Sequence, residues 1–163
     1  MTLQPLLAAL EAQPFAQAIR EGTFLFPAIE CVHVLAVVIV VGVVFLMDLR
    51  LLGGRAHSAS LRRLLADAVP CAWTAFAVAL VTGFLLFSSS ATTYAANPAF
   101  QLKFVAMAAA GLNMALFHGL GLKDAATWDA AAKPPRSARI AGLVSLACWV
   151  VVVASGRWIG FLA

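Results

Sequence analysis

The chain has 163 residues, of which 63% are hydrophobic and 11% charged, with a formal net charge of +4. Soluble domains average roughly 25% charged residues, so this composition excludes an ordinary water-soluble enzyme or binding module and predicts an integral membrane protein. No second compositional regime interrupts it, so residues 1–163 read as a single transmembrane domain, and the basic residues of its loops report membrane orientation rather than nucleic-acid binding.

At the N-terminus, Leu3, Leu6, Leu7 and Leu10 fall at helical spacing, and Pro14 interrupts before Phe15 and Ile19. This pattern predicts a short helix lying on the membrane interface. A cleaved signal peptide would want an early basic residue and a small-residue exit, whereas Arg20 comes late, so the segment is expected to be retained.

Four apolar runs follow, at about 24–47, 70–87, 100–122 and 140–162, each close to the roughly 20 residues that cross a bilayer as a helix. The fold class is therefore all-α, a four-helix membrane bundle. Between the first two runs, SLRRLLADAV places Leu61, Leu64, Leu65 and Val69 on one side of a separate short surface helix capped by Ser60. Asn97-Pro98 reads as a turn before the third span, and Pro134-Pro135 ends a polar loop before the fourth.

Arg50, Arg55, Arg62 and Arg63 lie in the first loop and Lys123, Lys133, Arg136 and Arg139 in the third, while the opposite side offers Arg20 outside the spans. The positive-inside rule puts these two loops in the cytoplasm and both termini outside, an N-out and C-out protein of the inner membrane. Trp73 and Trp158 sit near span ends, as belt residues do.

That orientation brings Glu30, His33, Lys103 and Arg157, from three different spans, to the outer third of the bilayer. A charge inside a membrane costs a few kcal/mol on insertion scales, so Glu30 is expected to pair with Lys103 or Arg157. On the third span Lys103, Met107, Ala110, Met114 and His118 form one stripe, expected to face the interior. On the first span Glu30, Val37, Val41, Val44 and Asp48 do the same, and Gly156 with Gly160 predicts a close helix approach on the fourth.

Three ligand chemistries suit these residues. Haem b would take an imidazole on iron, with His33 and Met107 closest in depth and the cations holding propionates. A quinone-like ring would use the same polar level. Copper would use His33, His118 and Cys31 with Met107 and Met114, although gap-filling is the ordinary role of Met. His33 and His118 are separated by about 13 Å along the axis, which makes a single haem ligated by both awkward.

Glu30-x-x-His33 resembles half of a di-iron motif, but the second copy and two further glutamates are missing. Cys31, Cys71 and Cys148 are isolated and read as apolar packing residues. No nucleophile elbow, phosphate loop or helical zinc motif occurs, which points to binding rather than catalysis.

The stretches LFPAIECVH at 25–33, MDLRLLGG at 47–54, NPAFQLK at 97–103, FH at 117–118 and GRWIG at 156–160 span nearly the whole chain. On these motifs it resembles a family of bacterial four-helix inner-membrane proteins with a domain of unknown function, and is distantly similar to copper-resistance D-type membrane proteins. The first resemblance implies the fold and carries no activity; the second adds weight to copper.

The sequence therefore predicts a bundle with a polar ligand site in its outer third, holding haem b or a quinone for a membrane or periplasmic redox partner, either alone or as a homo-oligomer. A permease-like protein moving copper or protons, and a structural subunit without a ligand, are the competing readings.

Overall fold

The computed structural model describes residues 3–53, 61–120 and 134–162. Among these the chain forms seven helices and no strand: α1 (Gln4–Glu11), α2 (Pro14–Glu21), α3 (Leu25–Leu51), α4 (Leu61–Ser89), α5 (Ala91–Ala96), α6 (Pro98–Leu120) and α7 (Arg136–Leu162). Leu25–Leu51, Ala68–Ser89, Pro98–Phe117 and Arg136–Leu162 are long and apolar enough to cross a bilayer. Leu35 and Val105 are each 65% exposed, and Phe161 70%. In water each such side chain would forfeit roughly 1.5–3 kcal/mol of burial, so lipid is the solvent this surface fits. The protein is a multi-pass, all-α membrane bundle.

Two antiparallel hairpins build it. Helix α3 packs on α4, α6 packs on α7, and α3 against α7 joins the pairs, while among the described residues α4 and α6 do not pack closely along their length. At one end the Phe87 and Phe100 rings stack 5.3 Å apart and close that side. The same end carries a polar cap of α1, α2 and α5. There a Glu11 carboxylate oxygen accepts from both the Thr92 backbone N–H and the Thr92 hydroxyl, each at 2.7 Å, and Arg20 donates to the Ser89 carbonyl at 3.3 Å. These bonds hold Glu11 below the usual carboxylate range, the Thr92 amide contributing most.

The opposite, basic end is closed by packing. Gly53 ends α3 with φ +82°, the left-handed conformation that glycine adopts without a Cβ clash, and lies beside Pro134 at the start of α7. Along α3 and α7 a Cβ on Gly142 would meet the Asp48 carbonyl oxygen and Leu51 Cβ, both at 3.1 Å, so the backbones approach here as closely as a missing side chain allows.

Several local expectations change. Residues 61–69 belong to α4, which runs unbroken through Pro70. Proline removes one N–H but is accommodated within membrane helices, and Thr74 donates its hydroxyl to the Pro70 carbonyl, adding a side-chain bond within that turn. The uncharged second loop contains α5. Asn97 is more than a turn residue: its Oδ1 accepts from the Ala99 and Phe100 amides as the cap of α6, with Pro98 at the first helical position, and its Nδ2 donates to the Ile159 carbonyl of α7.

The small-residue approach on α7 lies at Gly142, whereas a Cβ on Gly160 would meet nothing within 4 Å. Trp73 and Trp158 are 55% and 58% exposed, as lipid-facing belt residues are. Ser60, Arg55, His57, Lys123 and Lys133 lie outside the described residues, as does the His118 side chain.

Candidate functional site

His33 projects from α3 onto α4. Its Nδ1 lies 3.0 Å from the Thr82 hydroxyl, which lies in turn 2.7 Å from the Val78 carbonyl. A hydroxyl has one proton, and the short contact to a carbonyl spends it, so Thr82 must accept from the ring. The Ala79 carbonyl is a further acceptor beside it. Helix α4 thus offers His33 acceptors, and the hydrogen-bond pattern assigns an N–H to Nδ1. Room for the ring comes from Gly83, where a Cβ would stand 3.0 Å from His33 Cε1.

Lys103 reaches the same region from the other hairpin. It is half-buried on α6, and its Nζ lies 3.8 Å from where a Cβ of Gly156 would stand. Its charge is near enough to act on the His33 ring across the two hairpins. Aromatic rings bound this region at the cap: Phe100 stacks on Phe87, lies 6.0 Å from Tyr94 and 4.8 Å from Phe104. Burial and the neighbouring Glu30 carboxylate push the Tyr94 hydroxyl above its ordinary range, so it stays protonated.

The other residues singled out by sequence divide. Glu30 is exposed on α3, and no ion pair joins it to Lys103 or Arg157 among the described residues. The buried residues of α3 include Ala36, Val40, Asp48 and Leu51; His33 shares the face of Leu51 and is half-buried, while Glu30 shares the face of Asp48 but lies exposed near the start of the helix. Arg157 is exposed and places its guanidinium 5.2 Å from the Phe161 ring centre, a cation–π contact. Met107 is half-buried on α6 near Lys103, while Met114 is 45% exposed, so the inward stripe of α6 is Ala99, Lys103, Ala106, Ala110 and Asn113. Asn113 donates its amide to the Ala141 carbonyl of α7, a tie between these two helices.

The model for the family of unknown function DUF6644 matches residues 22–162. The chain belongs to that family. No curated protein and no solved structure matches it. The matched region takes in His33, Thr82, Gly83, Lys103 and Gly156, and leaves out α1 and α2.

Sequence reasoning missed Thr82, Gly83 and Tyr94. The available signal was Thr82-Gly83, a small polar pair within the apolar run of α4 at the depth of His33. At the basic end it underrated Asp48, which is 4% exposed: its carboxylate bonds Ser145, while Oδ2 is buried without a partner among the described residues.

Proposed function

We propose that this DUF6644 protein binds the headgroup of a membrane quinone between His33 and Lys103, as an accessory redox component serving a membrane or periplasmic partner. The carrying observation is the His33–Thr82–Val78 chain of hydrogen bonds, which commits Nδ1 as a donor and so leaves Nε2 of a neutral ring as the free acceptor. A quinone carbonyl needs a donor and a quinol hydroxyl needs an acceptor. Lys103 supplies the first and Nε2 the second, so both redox forms find a partner. The loosely packed side between α4 and α6 offers a ring dissolved in lipid a way in. The basic residues near the other end favour a cytoplasmic placement for it, which puts this site toward the outer face of the inner membrane.

Decylubiquinone added to the detergent-purified protein is expected to raise its thermal midpoint. A ligand at a hundredfold excess over Kd stabilises by about 2.7 kcal/mol. His33→Ala and Lys103→Met should each remove the shift, and Arg157→Gln should keep it. A shift that survives both site variants, or no shift at all, refutes quinone binding here.

A second reading rests on the same hydrogen bonds, because an imidazole anchored through Nδ1 with a lone pair on Nε2 is how haem iron is ligated. A Soret band in the isolated protein that His33→Ala abolishes would replace quinone by haem b. Met114 is 45% exposed, which weighs against a methionine ladder for copper along this stripe.

A further inference from the structure

We infer that the seam between α3 and α7 is a binding site for one anionic phospholipid, with its phosphate at Arg136 and Arg139 and an acyl chain running along the seam toward the capped end. Two grooves on the outside of the bundle carry this inference. The first, at the basic end, is lined by Arg136, Arg139, Ile140 and Leu143 of α7 with Leu52 of α3. The second lies farther along the same helices, where Val41 and Phe45 face Trp149, Val150 and Val153.

They form one track. Helices α3 and α7 run antiparallel, with Leu51 beside Gly142, so moving back along α3 from Leu52 to Phe45 and Val41 matches moving forward along α7 from Leu143 to Val150 and Val153. Arg136, Leu143 and Val150 are seven residues apart, two turns each, and so share one stripe of α7. Leu143 and Val150 on that stripe are 61% and 57% exposed. From Arg139 to Val150 the helix advances about 16 Å, roughly the depth of one leaflet's hydrocarbon.

The chemistry changes along the track as a phospholipid does. Two exposed guanidiniums, three residues apart at the start of α7, stand where a helix leaves the interface, and everything beyond them is apolar. Guanidinium binds phosphate oxygens in pairs, and cationic pockets at the ends of membrane helices recognise anionic headgroups. A zwitterionic lipid fills the same groove but carries a compensating cation past the arginines, and a free phosphate has no use for the apolar half.

Native mass spectrometry of the full chain in detergent, titrated with phosphatidylglycerol and with phosphatidylcholine of identical chains, tests this. Phosphatidylglycerol should bind more tightly, by a factor on the order of 30 for two basic side chains at an anionic group. The exposed double variant Arg136→Gln/Arg139→Gln should bring the ratio close to one, whereas Arg20→Gln at the other end should leave it unchanged. Val150→Trp, which fills the tail groove, should weaken both lipids alike. Equal affinities in the unmodified protein overturn the inference, as does a preference that survives the double variant. Lipid binding indifferent to Val150→Trp, or displacement of phosphatidylglycerol by inorganic phosphate alone, reduces the track to a surface anion site and overturns it too.

Discussion

The two ends of this bundle use glycine in opposite ways. At the capped end the space left by Gly83 is filled by the His33 ring, and the space beside Gly156 is approached by the Lys103 ammonium. At the basic end the space left by Gly142 is filled by the neighbouring backbone, the Asp48 carbonyl and the Leu51 Cβ. A glycine that admits a side chain makes a place where a polar group can sit between helices. A glycine that admits a backbone makes a joint. The comparison separates a region built to hold chemistry from a region built to hold the hairpins together, although both lie on helices that are apolar almost all round.

The joint should be the more sensitive of the two. Gly142→Val adds two methyl groups beyond a Cβ already at 3.1 Å from a carbonyl oxygen that cannot rotate away, so α3 and α7 must separate. Overpacking of this kind costs roughly 1–3 kcal/mol. Reversible unfolding in mixed micelles should show a loss in that range, and a variant as stable as the parent would mean the two helices are not in contact there.

Gly83→Ala comes next. Its methyl would stand 3.0 Å from His33 Cε1, and here the neighbour is a ring that can shift by a few tenths of an ångström. The shift strains the 3.0 Å bond to Thr82, whose net worth is about 1 kcal/mol, while alanine recovers up to about 1 kcal/mol of helix propensity. Stability should change little. The thermal shift given by decylubiquinone should fall sharply, and an unaltered shift would show that His33 need not keep this position to bind.

Why the fold was legible and the site only partly so follows from the solvent. Four apolar runs of bilayer length mark four helices regardless of how they pack, because lipid imposes their length. Rotation about each axis leaves no such mark. Val37, Val41 and Val44 look the same as Ala36 and Val40 in a helix whose every face is apolar, so the stripe from Glu30 to Asp48 was read as inward throughout, whereas Asp48 at one end is buried and Glu30 at the other is exposed. The same ambiguity sent Met114 inward on paper and outward in the structure. Polar ties were readable only where the chain breaks: Asn97 before Pro98 announced a helix start, but its bond to Ile159 depends on a partner 62 residues away.

The capped end also differs in being held by groups that titrate. Glu11 is depressed below 4.5 by its two bonds to Thr92, with Arg20 adding to the effect. A depressed carboxylate contributes stability that is fully present above its unfolded value of about 4.5 and is lost as pH falls through the folded value. Acidification through that window should therefore raise hydrogen exchange in α1 and α5 before it reaches the α3 and α7 joint. Glu11→Gln should produce the same local loosening at neutral pH and flatten the acid response. Exchange rising first at the basic end would reverse this ordering of the two regions.

The smallest effect belongs to Gly156→Ala, and its smallness is the sharpest check on the geometry. The new methyl would lie 3.8 Å from Lys103 Nζ, an ordinary van der Waals distance, with no backbone of another helix within 4 Å. Alanine in place of glycine inside a helix favours the folded state by up to about 1 kcal/mol. The variant should unfold at the same denaturant strength as the parent or slightly higher, and keep its response to decylubiquinone, because the lysine tip is the flexible end of a long chain. A loss comparable to that of Gly142→Val would place a helix backbone against Gly156 and erase the distinction between the two ends.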